Sequence, residues 1–254
     1  MKKLLSMVLA GMMVLSLAAC SGNEVQQSSQ PEAASSTEQV SESETHAPQS
    51  EESKPTSEPS SKVPEAEGTG TNMLVVYFSY AENADLPDGV DASATASIQI
   101  WNDELTGNTG VVANMIAETA GADIFSIRTV EKYPDTYDAT INQGQEERNT
   151  DTRPELASLP ENLNQYDVIF LGFPNWWGDM PMAVYSFLDE VDLSGKMIVP
   201  FVTSGGSGFS GTISTIESME SGATVQGGLP ISDSSATGAQ NQVSEWLNDL
   251  GYAE

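Results

Sequence analysis

Thr106-Gly107-Asn108-Thr109-Gly110 places two threonine hydroxyls, an asparagine amide and two glycines at the head of the stretch LTGNTGVVANMIAE, residues 105–118. Hydroxyls, glycines free to take positive φ and the amides of a helix's first turn together form an anion nest. Its field comes from dipoles, not from formal charge, so a phosphate monoester can be held there without lysine or arginine. Taken alone, TGNT is also compatible with a plain hairpin turn or helix cap. Two more loops have unusual composition. FPNWWGDMP, residues 173–181, carries tandem tryptophans that could offer a flat stacking face, and TSGGSGFSGT, residues 203–212, offers close backbone approach with amide donors. Judged singly, the tryptophans also suit a core or interface anchor, and TSGGSG a flexible connection.

The elements that must position these loops are readable from apolar patterning. MLVVYFS (73–79) is a near-continuous apolar run, as expected of a strand buried on both faces, and DVIFLG (167–172) and Lys196 to Thr203 repeat the pattern. A further strand is expected at Asp123 to Ile127 and a weaker one near Ala223 to Gln226. Helices are expected at Val111 to Ala120, stopped by Gly121, then at Tyr137 to Asn149, Met182 to Glu190, Gly211 to Met219 and about Thr237 to Leu250. Met182, Val184, Phe187 and Trp246 read as helix packing, and Glu131-Lys132-Tyr133-Pro134 as a surface turn. Strands alternating with helices predict an α/β fold, an open doubly wound parallel sheet of five strands. Ligands of such sheets bind beyond the carboxyl ends of the strands. The three loops lie at such ends, and together they suit a flat aromatic ligand with a phosphate tail.

A phosphate loop normally springs straight from its strand. Here residues 80–105, YAENADLPDGVDASATASIQIWNDEL, intervene, with six acidic side chains and no basic one. SIQIW alternates enough to form a small strand, one arm of a hairpin. Loops this long within compact domains are usually functional or partly structured.

Charge narrows the partners. The whole chain has formal net charge −28. Within residues 73–254 there are 27 acidic side chains and five basic ones (Arg128, Lys132, Arg148, Arg153, Lys196), and 5 − 27 = −22. Nucleic acid is repelled, whereas a protein with a basic surface is attracted. The sole histidine, His46, lies outside this region, so histidine-dependent triads and most zinc sites are excluded from it.

The first 72 residues read differently. Met1 to Ala19 has two lysines, a short apolar core and small residues before Cys20, the layout of a secretory signal. Leu17-Ala18-Ala19-Cys20 resembles a bacterial lipobox, which implies cleavage before Cys20 and lipid on its sulfur, anchoring the protein outside the cell membrane. As the only cysteine, Cys20 can form no intramolecular disulfide. Residues 20–72 are rich in Ser, Glu, Pro and Gln, the composition of a disordered tether. About 50 such residues have a root-mean-square reach of about 40 Å.

With these residues in view, the chain is similar to the flavodoxin family over nearly all of Met73 to Leu250. FS at 78–79 with TGNT at 106–109 resembles the family's phosphate loop, interrupted by the insertion. PNWWG resembles its flavin-stacking loop, and TSGGSG the loop beside the flavin's pyrimidine end. The resemblance implies a flavodoxin-like fold with FMN as cofactor. Ser79, Tyr80, Thr106, Gly107, Asn108, Thr109 and Gly110 would then hold the phosphate. Pro174, Asn175, Trp176, Trp177 and Gly178 would border the isoalloxazine, with Thr203, Ser204, Gly205, Gly206 and Gly208 on its other side.

Tryptophan stacking and an acidic surface both disfavour reduced flavin, so the expected activity is low-potential electron transfer, one electron at a time, to a redox protein. Asp179 is the nearest candidate for a local contribution. Two rivals are an FMN-dependent NAD(P)H oxidoreductase acting on quinones or nitro compounds, and an interaction module that has lost FMN. The start MKK has no twin arginine, which favours export unfolded and loading of FMN afterwards.

Overall fold

The computed structural model describes residues 71–86 and 98–253. The expected signal, Cys20, the tether with His46 and the middle of the insertion lie outside the described residues. No helix among the described residues is long and apolar enough to cross a membrane.

Five parallel positions make the main sheet. Strand β1 (Met73–Phe78) lies between β4 (Asp123–Ile127) and β5 (Val168–Pro174), and β6 (Met197–Ser204) lies beyond β5. Every pair is parallel. The sequence dictates this placement: β5 is buried at all seven positions and β6 at seven of eight, so neither strand could sit at a wet edge. The fifth position is divided between β7 (Thr224–Val225) and β8 (Leu229–Ser232), which pair with the two ends of β6. Between them residues 226–228 oppose only residues 199–200, a bulge. The expected strand near Ala223 to Gln226 is therefore only the first half of that position. Gly228 makes the crossing possible, because a Cβ there would stand 2.5 Å from the Pro200 carbonyl oxygen.

Helices cover both faces. Helix α1 (Asn108–Ala120) and helix α5 (Gln240–Leu250) pack Val111, Ile116, Val243 and Leu247 against one face of the sheet. Helix α3 (Met182–Glu190) and helix α4 (Thr212–Met219) bury Val184, Phe187 and Ile216 on the other. Helix α2 (Tyr137–Thr150) follows a buried Tyr133. The doubly wound arrangement matches the expectation. The final helix starts later than expected, because Asp233–Gly238 forms a 3-10 turn.

The insertion after β1 is built, not loose, at both described ends. Tyr80–Glu82 is a buried 3-10 turn. At the far end β2 (Ile98–Trp101) and β3 (Glu104–Gly107) form an antiparallel hairpin. Its turn has both central residues, Asn102 (φ 49°) and Asp103 (φ 68°), left-handed, which matches the twist of a two-residue hairpin. IQIW, the described part of SIQIW, is thus one arm of a hairpin. The phosphate-loop residues leave its other arm, and α1 starts at Asn108, three residues earlier than its apolar periodicity indicates.

Candidate cofactor site

The three unusual loops meet beyond the carboxyl ends of β1, β5 and β6, where side-chain hydrogen bonds join them. Thr109 Oγ1 and Thr203 Oγ1 share a hydrogen bond of 2.7 Å, linking the head of α1 to the glycine loop. Asn175 Nδ2 donates to the Gly208 carbonyl at 2.8 Å and to Ser210 Oγ at 3.1 Å, linking the tryptophan loop to the same segment. Pro174 pairs in register with Thr203, and the Asn175 amide donates to the Thr203 carbonyl at 2.8 Å.

At the first loop Gly107 ends β3 and is also the N-cap of α1. It has no side chain to cap the first-turn amides, and no acidic residue stands in that turn. The positive end of the helix is therefore available to an anion. Asn108, Thr109 and Gly110 are all buried. Thr106 is also buried, but its hydroxyl donates to Glu82 Oε1 at 2.6 Å, behind the loop. Only glycine fits at 110, where a Cβ would fall 1.8 Å from Thr106 Oγ1. Asn108 Oδ1 accepts from Gln99 Nε2 at 2.9 Å.

Ser79 is buried at the N-cap of the 3-10 turn, where its side chain makes no capping bond. Tyr80 packs in the core, and its hydroxyl donates to the Pro134 carbonyl at 2.6 Å, which occupies its proton away from the loop.

The tryptophan loop is a tight turn. Trp176 lies edge-on to Phe78 and Tyr133, each with ring centroids 5.6 Å away, and packs on the core. Trp177 is 39% exposed and adopts φ 53°, a left-handed backbone that a bulky residue rarely takes. Gly178 follows at φ 80°, and its amide donates to Asn175 Oδ1 at 2.9 Å. Strain of this kind persists only where surrounding structure enforces it, and it concentrates at ligand sites.

In the glycine loop Ser204 Oγ accepts from the Gly206 amide at 3.3 Å and the Gly208 amide at 2.9 Å. Those two donors are thereby occupied by the loop itself. Gly206 (φ 117°) and Gly208 (φ 55°) need the left-handed region, and no atom lies within 4 Å of a Cβ placed at either. A Cβ at Gly205 would meet only Asp233 Oδ2, at 3.6 Å. The loop presents open backbone.

The charges around the site are largely paired. Asp179 accepts from the Tyr185 hydroxyl at 2.8 Å and the Met180 amide at 2.8 Å, and it lies 3.5 Å from Arg148 Nε. Its negative charge is therefore shared with a cation. Burial, followed by the bond to Asp179, pushes the Tyr185 hydroxyl up to about 12.

Several contributors have no signal in their residue type. Tyr133, expected on a surface turn, is buried at 2% exposure, whereas its neighbours Glu131 and Lys132 are exposed as expected, with Lys132 2.5 Å from Asp85. The Tyr133 hydroxyl donates to Glu147 Oε2 at 2.9 Å, which fixes the ring bracing Trp176. Gly144 of α2 lies beneath both tryptophans, with a Cβ there 3.1–3.2 Å from their rings. The polar pair Glu82 and Asn83 reads as loop in the sequence yet is buried. Asn83 Nδ2 donates to the carbonyls of Ser79 and Ile127, and its Oδ1 accepts from the Thr129 amide.

The arrangement is a dipolar anion nest, an exposed strained aromatic and an open glycine strip at one rim, suited to a phosphorylated planar ligand. Comparison with known proteins agrees. The chain superposes on a Bacteroides eggerthii protein described as a flavoprotein with TM-score 0.55 and 22% identity, covering 72% of this chain and 99% of that one. A Bacteroides uniformis protein described likewise gives TM-score 0.53 and 25% identity, covering 71% and 99%. No curated protein matches. The model of the family described as Flavodoxin matches residues 102–250, more than half of the 254 residues, and the chain belongs to the flavodoxin family.

Proposed function

We propose that the chain is an FMN-dependent electron carrier, tethered by lipid on Cys20 to the outer face of a bacterial cell membrane, serving a redox protein with a basic surface. FMN is the cofactor that family membership brings, and the residues fit it. The observation that carries this reading is the joining of the three loops by Thr109–Thr203 and Asn175–Gly208. Those bonds hold a phosphate nest, an aromatic face and a backbone strip at one rim.

When bound, FMN supplies one-electron redox chemistry. The chain's own residues bind and tune it. The first-turn amides of α1 would hold the phosphate, with Thr109 fixed by Thr203. Trp177, the exposed member of the pair, offers the stacking face, while Trp176 braces it from the core. The glycine strip from Gly205 to Gly208 would border the other end of the ring. The net −22 of residues 73–254 opposes added negative charge and so lowers the potential.

The NAD(P)H oxidoreductase reading is weaker because the cations it needs are occupied. Arg128, Lys132, Arg148 and Arg153 each face a carboxylate, and the buried Lys196 donates to the Tyr166 carbonyl. Titration of the purified protein with FMN, followed by flavin fluorescence, tests the reading. Stoichiometric quenching and a yellow protein are expected. Unquenched flavin would refute it, and steady NADH- or NADPH-dependent turnover would replace it with the oxidoreductase.

A further inference from the structure

Between the end of β1 at Phe78 and the start of β3 at Glu104 lie residues 79–103, or 103 − 79 + 1 = 25 residues. Chain continuity over this length does not by itself dictate where the two ends sit. Something other than chain continuity must set the phosphate nest against the sheet. The Thr109–Thr203 bond and the packing of α1 fix one side of the nest; on the other, Glu82, 9% exposed, is where β1, β3 and β4 converge. Its Oε1 accepts from Tyr77 Oη of β1 at 2.7 Å and from Thr106 Oγ1 of β3 at 2.6 Å. Its Oε2 accepts from Ser126 Oγ of β4 and, at 3.3 Å, from Arg128 Nη2. Burial, with Glu82 adding to it, pushes the Tyr77 hydroxyl far above its usual range, so that group stays a donor.

We infer that Glu82 is a positioning residue: by holding Thr106 it sets the phosphate nest at the head of α1 and so determines selectivity for FMN over unphosphorylated flavin. This rests on the FMN reading above. Three features support it. The carboxylate engages four donors, one on each of three strands and the fourth, Arg128, just past the end of β4. Its Oε1 would be 3.0 Å from a Cβ at Gly110, so it lies directly behind the first turn of α1. And Asn83, the next residue, is locked to the chain at Ser79, Ile127 and Thr129, so the turn that carries Glu82 is itself fixed. A buried carboxylate with several charge-assisted bonds is strongly directional, and removing it leaves its donors unsatisfied.

The test is titration of the full protein with FMN and, separately, with riboflavin, for the wild type, Glu82→Ala, Glu82→Gln and the double variant Glu82→Ala/Thr106→Val. Phosphorus NMR of bound FMN reports the nest directly. Glu82→Ala should lower FMN affinity about tenfold or more, leave riboflavin within about twofold and shift the phosphorus signal. Glu82→Gln, which keeps one accepting oxygen, should lose about threefold toward FMN; it carries the test if the alanine variant fails to fold. Adding Thr106→Val should cost little more, because the two residues act as one unit. Equal weakening of FMN and riboflavin, or unchanged selectivity in both single variants, would overturn the inference alone. A wild type that binds no FMN would remove the cofactor reading and this inference with it.

Discussion

Trp176 and Asp179 exchange both backbone hydrogen bonds, at 2.9 and 3.0 Å, which forces the two residues between them, Trp177 and Gly178, into left-handed conformations. This turn gives the tandem tryptophans different roles. Trp176 is held edge-on among Phe78, Tyr133 and Trp177, whereas Trp177 is exposed on the turn's tip. Trp177→Ala should therefore weaken FMN binding about tenfold, from lost stacking, with little change in folding stability. Trp176→Ala should lose about 3 kcal/mol of stability as a core truncation. Urea unfolding of the apoprotein beside flavin titration separates the two effects. The reverse pattern would reassign the stacking face to Trp176.

Gly144 lets α2 approach the tryptophans. Alanine at 144 gains about 1 kcal/mol of helix propensity, but its methyl would press on both rings at 3.1–3.2 Å. The rings must move by a few tenths of an ångström. We expect Gly144→Ala to leave the melting temperature near that of the wild type while lowering FMN affinity. Wild-type affinity in a well-folded variant would show that the ring positions are not critical.

Acid should stabilise the fold. Burial raises the Glu147 carboxyl above its ordinary 4.5, and hydrogen bonds from Gln143 and Tyr133 only partly oppose this. Glu220 shifts the same way, by burial and then by the charges of Asp192 and Asp189. The folded state thus binds these protons more tightly than the unfolded state. Their stabilising contribution is complete below 4.5 and is lost as pH rises through the raised values. Melting temperature should fall between mildly acidic pH and neutrality, and Glu147→Gln should flatten part of that fall. Parallel pH profiles for the two proteins would contradict the assignment to Glu147.

The parts legible in the sequence were those whose physics is local. β1, β5 and β6 are buried on both faces, so their apolar runs mark them without ambiguity, and α3 spans Met182–Glu190 as its periodicity requires. The three loops stood out because each gathers unusual residue types, threonine with glycine, tandem tryptophan and a glycine-serine run, in a few positions. What stayed hidden depends on distant partners. Leu229–Ser232 completes the fifth strand only by skipping a bulge at Gly227-Gly228, a step that looks like a turn in one dimension. Glu82 is polar and sits within an acidic insertion, so nothing local distinguishes it from solvated neighbours. Its partners Thr106, Ser126 and Arg128 lie 24, 44 and 46 residues away. Tyr133 likewise becomes a brace only when β1 and the tryptophan loop meet it.

Spectroelectrochemical reduction of the FMN-loaded protein reads cofactor binding, electron count and electrostatic tuning together. Two separate one-electron steps are predicted, with the more reducing one well below the potential of free FMN, as stacking and a net −22 domain require. A single two-electron step at the potential of free FMN, or flavin that washes away from the folded protein, would contradict an electron carrier built on these three loops.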